Sequence, residues 1–264
     1  GGKSQLLQQY NAFWPRSFQT YYEPFLGGGA VFFHLSDRIQ SAALTDINPE
    51  LVNVYRCVQQ RVDDLITLLS YHRRRHCADH YYAIRQTQFQ DPLERAARLI
   101  YLNKTCFNGL YRENSKGQFN VPMGRYKNPG IFDPDLLHAA AEALQCATIA
   151  LQSFDQVVGN AQSAQDFVYF DPPYFPISAT SNFTGYNRYA FTAEDHTRLR
   201  DTFVRLAEQG VQVMLSNSDC EFVRDLYDYD RAYIHTISAT RLINCKAKRR
   251  GRISELLITS YPVS

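Results

Sequence analysis

Five short apolar or β-branched runs, separated by helical patterns, constrain the fold more than any other feature of the sequence. They are Thr20 to Glu23, Ala42 to Thr45, Thr148 to Leu151, Phe167 to Phe170 and Val211 to Leu215, each followed by a turn or a helix start. Helical patterns begin at Ala30 and at Asn48, with Pro49 in the first turn. A third is opened by Thr192, runs from Ala193 to Gln209 and stops at Gly210. Such alternation predicts an α/β chain with a doubly wound, mostly parallel sheet covered on both faces. Tyr233 to Ser238 and Ile253 to Tyr261, flanking a basic loop, read as a hairpin that adds an antiparallel edge.

The alternation breaks between about Asn53 and Gln145. That stretch shows helical periodicity and a Gly/Asn/Pro-rich loop from Asn103 to Pro129, with no convincing buried strand. A chain of 264 residues, 45% of them hydrophobic, can bury one sizeable core and carry a smaller subdomain. The expected division is therefore a larger α/β domain from 1–52 and 146–264, with an inserted, mainly helical subdomain at 53–145. No internal repeat is visible, which excludes a solenoid.

The six cysteines are scattered singly, without a CxxC pair or a histidine at ligand spacing, so neither a disulfide framework nor a zinc site is expected. No apolar stretch approaches the roughly 18 residues that span a bilayer, and the first residues carry no leader-like apolar core. The expectation is a soluble, cytoplasmic protein without a metal. Net charge is only +2, but its distribution is uneven. Arg95 to Lys127 holds seven Lys or Arg against one acid, Glu113, and Arg241 to Arg252 holds six against none. Either run alone reads as a solvated face; two of them, beside the motifs below, point to nucleic acid.

The first motif runs from Tyr22 through Glu23-Pro24-Phe25-Leu26-Gly27-Gly28-Gly29 to Phe33: strand, glycine turn, helix start. Three glycines let the backbone fold back and approach a ligand without Cβ clashes. Alone this is weak. Thr45-Asp46-Ile47-Asn48 strengthens it, because an acid ending the second strand is where a Rossmann-like fold hydrogen-bonds ribose hydroxyls. The pair implies an adenosine-bearing ligand, and no Walker-type lysine follows to support an NTPase. The second motif is Val168-Tyr169-Phe170-Asp171-Pro172-Pro173-Tyr174, an apolar strand ending in a rigid acid-proline-proline-aromatic turn. Two prolines remove backbone donors and leave acceptors beside the Asp171 carboxylate. Such an array suits a planar amine, with Tyr174 able to stack on its ring. The plain alternative is a strand-ending turn with an exposed acid.

On these residues the chain resembles the amino-methyltransferases with a D/N/S-P-P-Y/F/W motif, and closely the GATC-specific DNA adenine methylases of the Dam type. Phe119 to Pro129 (FNVPMGRYKNP), Phe183 to Tyr186, Ser216-Asn217 and Ser254 to Leu257 are similar to further blocks of that family, so the likeness covers nearly the whole chain. It implies an S-adenosylmethionine-dependent enzyme that methylates the N6 amine of an adenine flipped out of double-stranded DNA and releases S-adenosylhomocysteine. Asp171, Pro172, Pro173 and Tyr174 are then the catalytic segment. Lys3, Phe25, Gly27, Gly28, Gly29, Asp46, Ser153, Phe154, Asp155 and Asp171 would border the cofactor: Lys3 its carboxylate, Asp46 its ribose, residues 153–155 its adenine. For 153–155 the residues alone read equally as a plain turn.

The resemblance also assigns the DNA side. Arg112 reads a guanine edge, Leu110 and Pro122 touch a thymine methyl, and Phe107, Asn108 and Tyr126 enter near the flipped base or stack in the helix. Lys104, Asn114, Asn120, Arg125 and Lys127 hold phosphates or position the others. Lys246, Lys248, Arg249 and Arg250 form a second clamp. The implied site is GATC, or failing that another beginning GAT. In such enzymes the first base is read by a lysine just before the Gly-Gly-Lys block; the sequence is expected to lack that end. N4-cytosine methylation is the nearest rival reading, more often seen with Ser-Pro-Pro-Tyr; a catalytically dead DNA-binding module is the more distant one. The residues are compatible with an enzyme that stands alone and with one that accompanies a restriction nuclease, and imply no stable protein partner.

Overall fold

The computed structural model describes residues 6–114, 117–177, 191–240 and 252–263. Its strands are β1 Thr20–Glu23, β2 Ser41–Asp46, β3 Ala147–Leu151, β4 Asp166–Phe170, β5 Gln212–Ser218, β6 Tyr233–Thr240 and β7 Arg252–Thr259. They form one seven-stranded sheet in the order β3-β2-β1-β4-β5-β7-β6. β1 pairs in parallel with β2 and β4, and β4 with β5, while β7 runs antiparallel to β5 and β6. This is the mostly parallel Rossmann-like sheet with an antiparallel edge that the alternation implied. The strand order reverses direction at β1 and β4, the place where open α/β sheets bind ligands at their carboxyl ends. All five β4 residues are buried, as expected of a strand covered on both faces.

The helices are α1 Leu7–Tyr10, α2 Ala30–Leu35, α3 Pro49–Gln60, α4 Val62–Arg74, α5 Ala78–Gln86, α6 Pro92–Thr105, α7 Pro134–Ala143, α8 Ala193–Glu208 and α9 Glu221–Leu226. α1 and α9 lack a sequence signature strong enough to read. Three helices share one start: Asn48, Asp91 and Asp133 each cap two backbone N–H groups just before a proline at the first helical position. α8 opens with a capping box between Thr192 and Asp195.

The described residues pack as two compact units. One takes in residues 6–47, 152–177, 191–240 and 252–263; the other takes in 48–114 and 117–151. The first has a core of sheet and α8 side chains, among them Val168, Phe170, Leu199, Phe203, Val213, Leu215, Leu256 and Ile258. In the second, α6 is central. Its Ala96 and Ala97, both fully buried, let neighbouring helices approach closely, and Leu99, Tyr101 and Leu102 fill the space around them. This unit begins at Asn48 and ends at Leu151, so it includes all of α3 and β3.

Candidate active site

At the end of β1, Glu23 is buried and accepts hydrogen bonds from the Tyr21 hydroxyl at 2.8 Å and the Phe32 backbone N–H at 3.1 Å. It therefore holds the glycine turn to the start of α2. Gly27 and Gly29 have φ of 47° and 63°, the left-handed region that an L side chain enters only with strain. The Gly27 N–H donates to Asp46 Oδ2 at 3.0 Å, which joins the turn to the acid ending β2. A Cβ at Gly28 would meet nothing within 4 Å, so the turn borders open space. Phe25 stacks on Phe154 with ring centroids 5.2 Å apart and 20° between planes. Phe154 is only 3% exposed and lies under the Arg198 guanidinium, whose Nε stands 4.0 Å from Asp155. The 153–155 segment thus presents Ser153 and Asp155 outward, with Phe154 as their floor.

Asp171 to Tyr174 leave the carboxyl end of β4 without regular structure. Pro172 is buried and Pro173 exposed. Tyr174 is 36% exposed overall, yet burial and the nearby Asp171 and Glu255 carboxylates drive its hydroxyl far above the usual phenol range. The ring reaches the surface and its hydroxyl points inward, where it donates to Glu255 Oε2 at 3.0 Å. Buried Tyr10 donates to the other oxygen, Glu255 Oε1. On the other side the Ser216 hydroxyl donates to Asp171 Oδ1 at 3.0 Å and lies 3.0 Å from the Tyr169 hydroxyl.

The next residue is clamped through its backbone. Asn217 Oδ1 accepts from the Phe175 N–H at 3.0 Å and the Ser218 N–H at 2.8 Å, while the Ser218 hydroxyl donates to the Phe175 carbonyl. Asn217 Nδ2 lies 3.3 Å from His196 Nδ1, so the imidazole accepts there and carries its proton on Nε2. That Nε2 has no hydrogen-bond partner and sits among the rings of Phe175, Phe191 and Phe222. Burial lowers the His196 pKa to about 4, against a smaller opposing effect of Asp195. Ser216, Asn217 and Glu255 fall in blocks of the family likeness, but their roles depend on neighbours far away in sequence.

In the helical unit, the segment after α6 is held by its backbone. The Phe107 N–H donates to the Pro122 carbonyl, Gly124 N–H to Thr105, and Asn120 N–H to Arg112, with antiparallel bridges Cys106–Met123 and Glu113–Phe119. Cys106, Phe119 and Val121 anchor it in the core, and the Val121 carbonyl accepts from Tyr81 and Arg85. Asn108 is left-handed, with φ 54°. Phe107, Asn108, Leu110, Arg112, Pro122, Arg125, Tyr126 and Lys127 are all exposed on this frame, as is Lys104 on α6, and Asn114 and Asn120 are half-buried. The Arg112 Nε donates to Asn120 Oδ1 at 2.7 Å, so these two side chains form one pair. Not every cation of the basic run faces out: Arg95 pairs with Glu50, and Arg98 donates to the Ile84 and Arg85 carbonyls.

Lys3, Lys246, Lys248, Arg249 and Arg250 lie outside the described residues, as does the block from Phe183 to Tyr186. Among the described residues no helix is long and apolar enough to cross a membrane, and no cluster of His, Cys, Asp or Glu could hold a metal ion.

Comparison with known proteins shows the family of the chain. The family described as D12 class N6 adenine-specific DNA methyltransferase matches residues 1–243. The Type II methyltransferase M1.LlaDCHI of Lactococcus lactis subsp. cremoris is 44% identical over 270 residues, covering 99% of this chain and 93% of that protein. The Type II methyltransferase M.MjaIII of Methanocaldococcus jannaschii is 40% identical, covering 99% and 96%. The DNA adenine methylase of Escherichia coli K12 is 36% identical, covering 99% and 93%.

Proposed function

The chain belongs to the D12 class N6 adenine-specific DNA methyltransferases, and we propose that it methylates an adenine flipped out of the duplex within GATC, using Asp171 to Tyr174 to hold the base. One observation carries this reading. The glycine turn and the Asp171 segment leave the carboxyl ends of adjacent parallel strands, β1 and β4, where the strand order reverses. An adenosine-bearing cofactor and a second planar group can meet at such a point.

The residues present fit S-adenosylmethionine. The left-handed turn opens onto free space at Gly28, Asp46 is tied to that turn, and Phe25 lies on a fixed aromatic floor. Gly27, Gly28 and Gly29 would border its methionine part, Asp46 its ribose, and Ser153 and Asp155 its adenine, with Lys3 at its carboxylate. When bound, it supplies an activated methyl group on a sulfonium. Asp171 and the Pro172 carbonyl accept the two N–H groups of the target amine, which favours a more tetrahedral nitrogen and aims its lone pair. Tyr174 stacks on the base. Catalysis is then mainly positioning and electrostatics. Flipping costs roughly a few kcal/mol, offset by contacts elsewhere on the DNA.

The resemblance of Leu110, Arg112, Pro122 and Tyr126 to Dam-type readers supports GATC, as does their exposure on a backbone-held segment. Phe107 and Asn108 would enter beside the flipped base. Lys104, Asn114, Asn120, Arg125, Lys127 and the Lys246 to Arg250 loop would hold phosphates or position the readers. The test is methylation of duplexes that differ from GATC by one base pair. Equal activity on all of them would overturn the site assignment, and methylation of cytosine N4 would overturn the choice of base.

A further inference from the structure

Two carboxylates flank Tyr174, and their hydroxyl partners differ in kind. Glu255 takes the phenols of Tyr10 and Tyr174. Asp171 takes Ser216, a fully buried residue of β5.

The direction of this second chain follows from proton counting. A serine hydroxyl has one hydrogen, and an ionised carboxylate can only accept. Ser216 therefore spends its hydrogen on Asp171 Oδ1. The 3.0 Å contact between Ser216 and Tyr169 must then run from the phenol to the serine. Tyr169 is suited to donate permanently, because complete burial and nearby Asp171 keep it protonated.

We propose that Ser216 is the positioning residue of methyl transfer: driven by the Tyr169 hydroxyl, it fixes the rotation of the Asp171 carboxylate, so that the lone pairs not used by Ser216 face the target amine. A carboxylate has about four lone-pair directions, and a charge-assisted bond to one of them orients the others. The inference rests on the reading of Asp171 as the group that accepts from that amine.

The test is single-turnover methyl transfer to a GATC duplex at saturating S-adenosylmethionine. Ser216→Ala is expected to lower the transfer rate about tenfold while the KM values for DNA and cofactor stay within about twofold, because nothing that binds either is removed. Tyr169→Phe is expected to lose about threefold, and to add nothing in the Ser216→Ala background, since the relay is already broken there. Ser216→Cys, a weak donor, falls between serine and alanine. An unchanged rate in folded Ser216→Ala, losses that multiply in the double variant, or a rise in KM at constant rate would each overturn the proposal. If Ser216→Ala does not fold, Tyr169→Phe decides: a slower transfer at constant KM upholds the relay, and an unchanged rate removes it. Transfer persisting in Asp171→Ala would instead sink the underlying reading, whereas a dead Asp171→Ala beside a normal Ser216→Ala sinks the relay alone.

Discussion

The segment after β4 and the segment after α6 both present aromatic and polar side chains, yet they are built by opposite means. Behind Asp171 and Tyr174 stand side chains from remote strands: Tyr169, Ser216, Glu255 and Tyr10. Behind Phe107, Arg112 and Tyr126 stand mostly backbone hydrogen bonds within the segment itself, with Cys106, Phe119 and Val121 as anchors. On the proposed reading the contrast follows from the roles: a reacting group needs one orientation, which buried side-chain partners impose. A reader of DNA needs a shaped surface on which single residues can change without loss of the frame.

The contrast is broken most directly by Asp171→Ala, which should reduce methyl transfer by at least about 10²-fold, as loss of a preorganised polar group does. The unfolding temperature should stay within a few degrees of wild type, because a half-buried polar side chain is removed and no core volume. Thermal melts beside rate measurements check this; wild-type turnover would show that the hydroxyl-backed segment is not the reacting one.

Acid separates the two regions next. His196 in the sheet unit and His72 in the helical unit both have pKa values lowered to about 4, chiefly by burial, with His80 adding to the effect at His72. Unfolded, each titrates near 6.5, so between those values the unfolded chain binds the proton that the folded chain refuses. The stability each contributes is complete above about pH 6.5, falls as pH drops toward 4 and levels off below. The loss is on the order of 3 kcal/mol for each. Denaturant melts at pH 7 and pH 4.5 should show it, and His72→Phe should flatten only the share of the helical unit. A variant that melts with the same pH dependence as wild type would remove His72 from the account.

Arg112→Ala sharpens the comparison from the DNA side. Discrimination at one base pair should relax by roughly 1–3 kcal/mol, while the saturated transfer rate on GATC changes little. Competition between duplexes measures it; an unchanged preference profile would take Arg112 out of the readout. The smallest effect is expected at Gly124, where a Cβ would come within 2.3 Å of the Tyr126 ring and 2.9 Å of the Cys106 carbonyl. Gly124→Ala should displace Tyr126 and destabilise the helical unit by about 1 kcal/mol, weakening DNA binding severalfold at an unchanged transfer rate. A crystal structure of the variant with Tyr126 in place would contradict this.

Much of the fold is legible because buried parallel strands carry continuous apolar runs, as in Phe167 to Phe170, and because helix caps such as Asn48-Pro49 act locally. The Asp171 segment stands out for the same reason: its rigidity is written in adjacent residues. Ser216 and Glu255 fall in blocks of the family likeness, but their roles, like that of His196, do not stand out. Each lies in a strand or helix whose pattern explains it as an ordinary residue, and its role exists only once β5, β7 and α8 are packed. Net positive charge misleads in a related way, since Arg95 and Arg98 spend theirs on Glu50 and on carbonyls inside the helical unit. The left-handed Asn108 is likewise invisible in composition.

The bond between Tyr10 and Glu255 joins residues 245 positions apart. As a ribosome releases the chain from its amino end, Asp171 and Tyr174 emerge well before β7, and the carboxylate that anchors the Tyr174 hydroxyl arrives only after β5 and β6 have been made. Closing so long a loop gains nothing until β7 inserts between β5 and β6. A nascent chain can thus display its acid-proline-proline-tyrosine turn while still unable to hold that tyrosine in place, so on the proposed reading of that turn competence to modify DNA is deferred until β7 has been made.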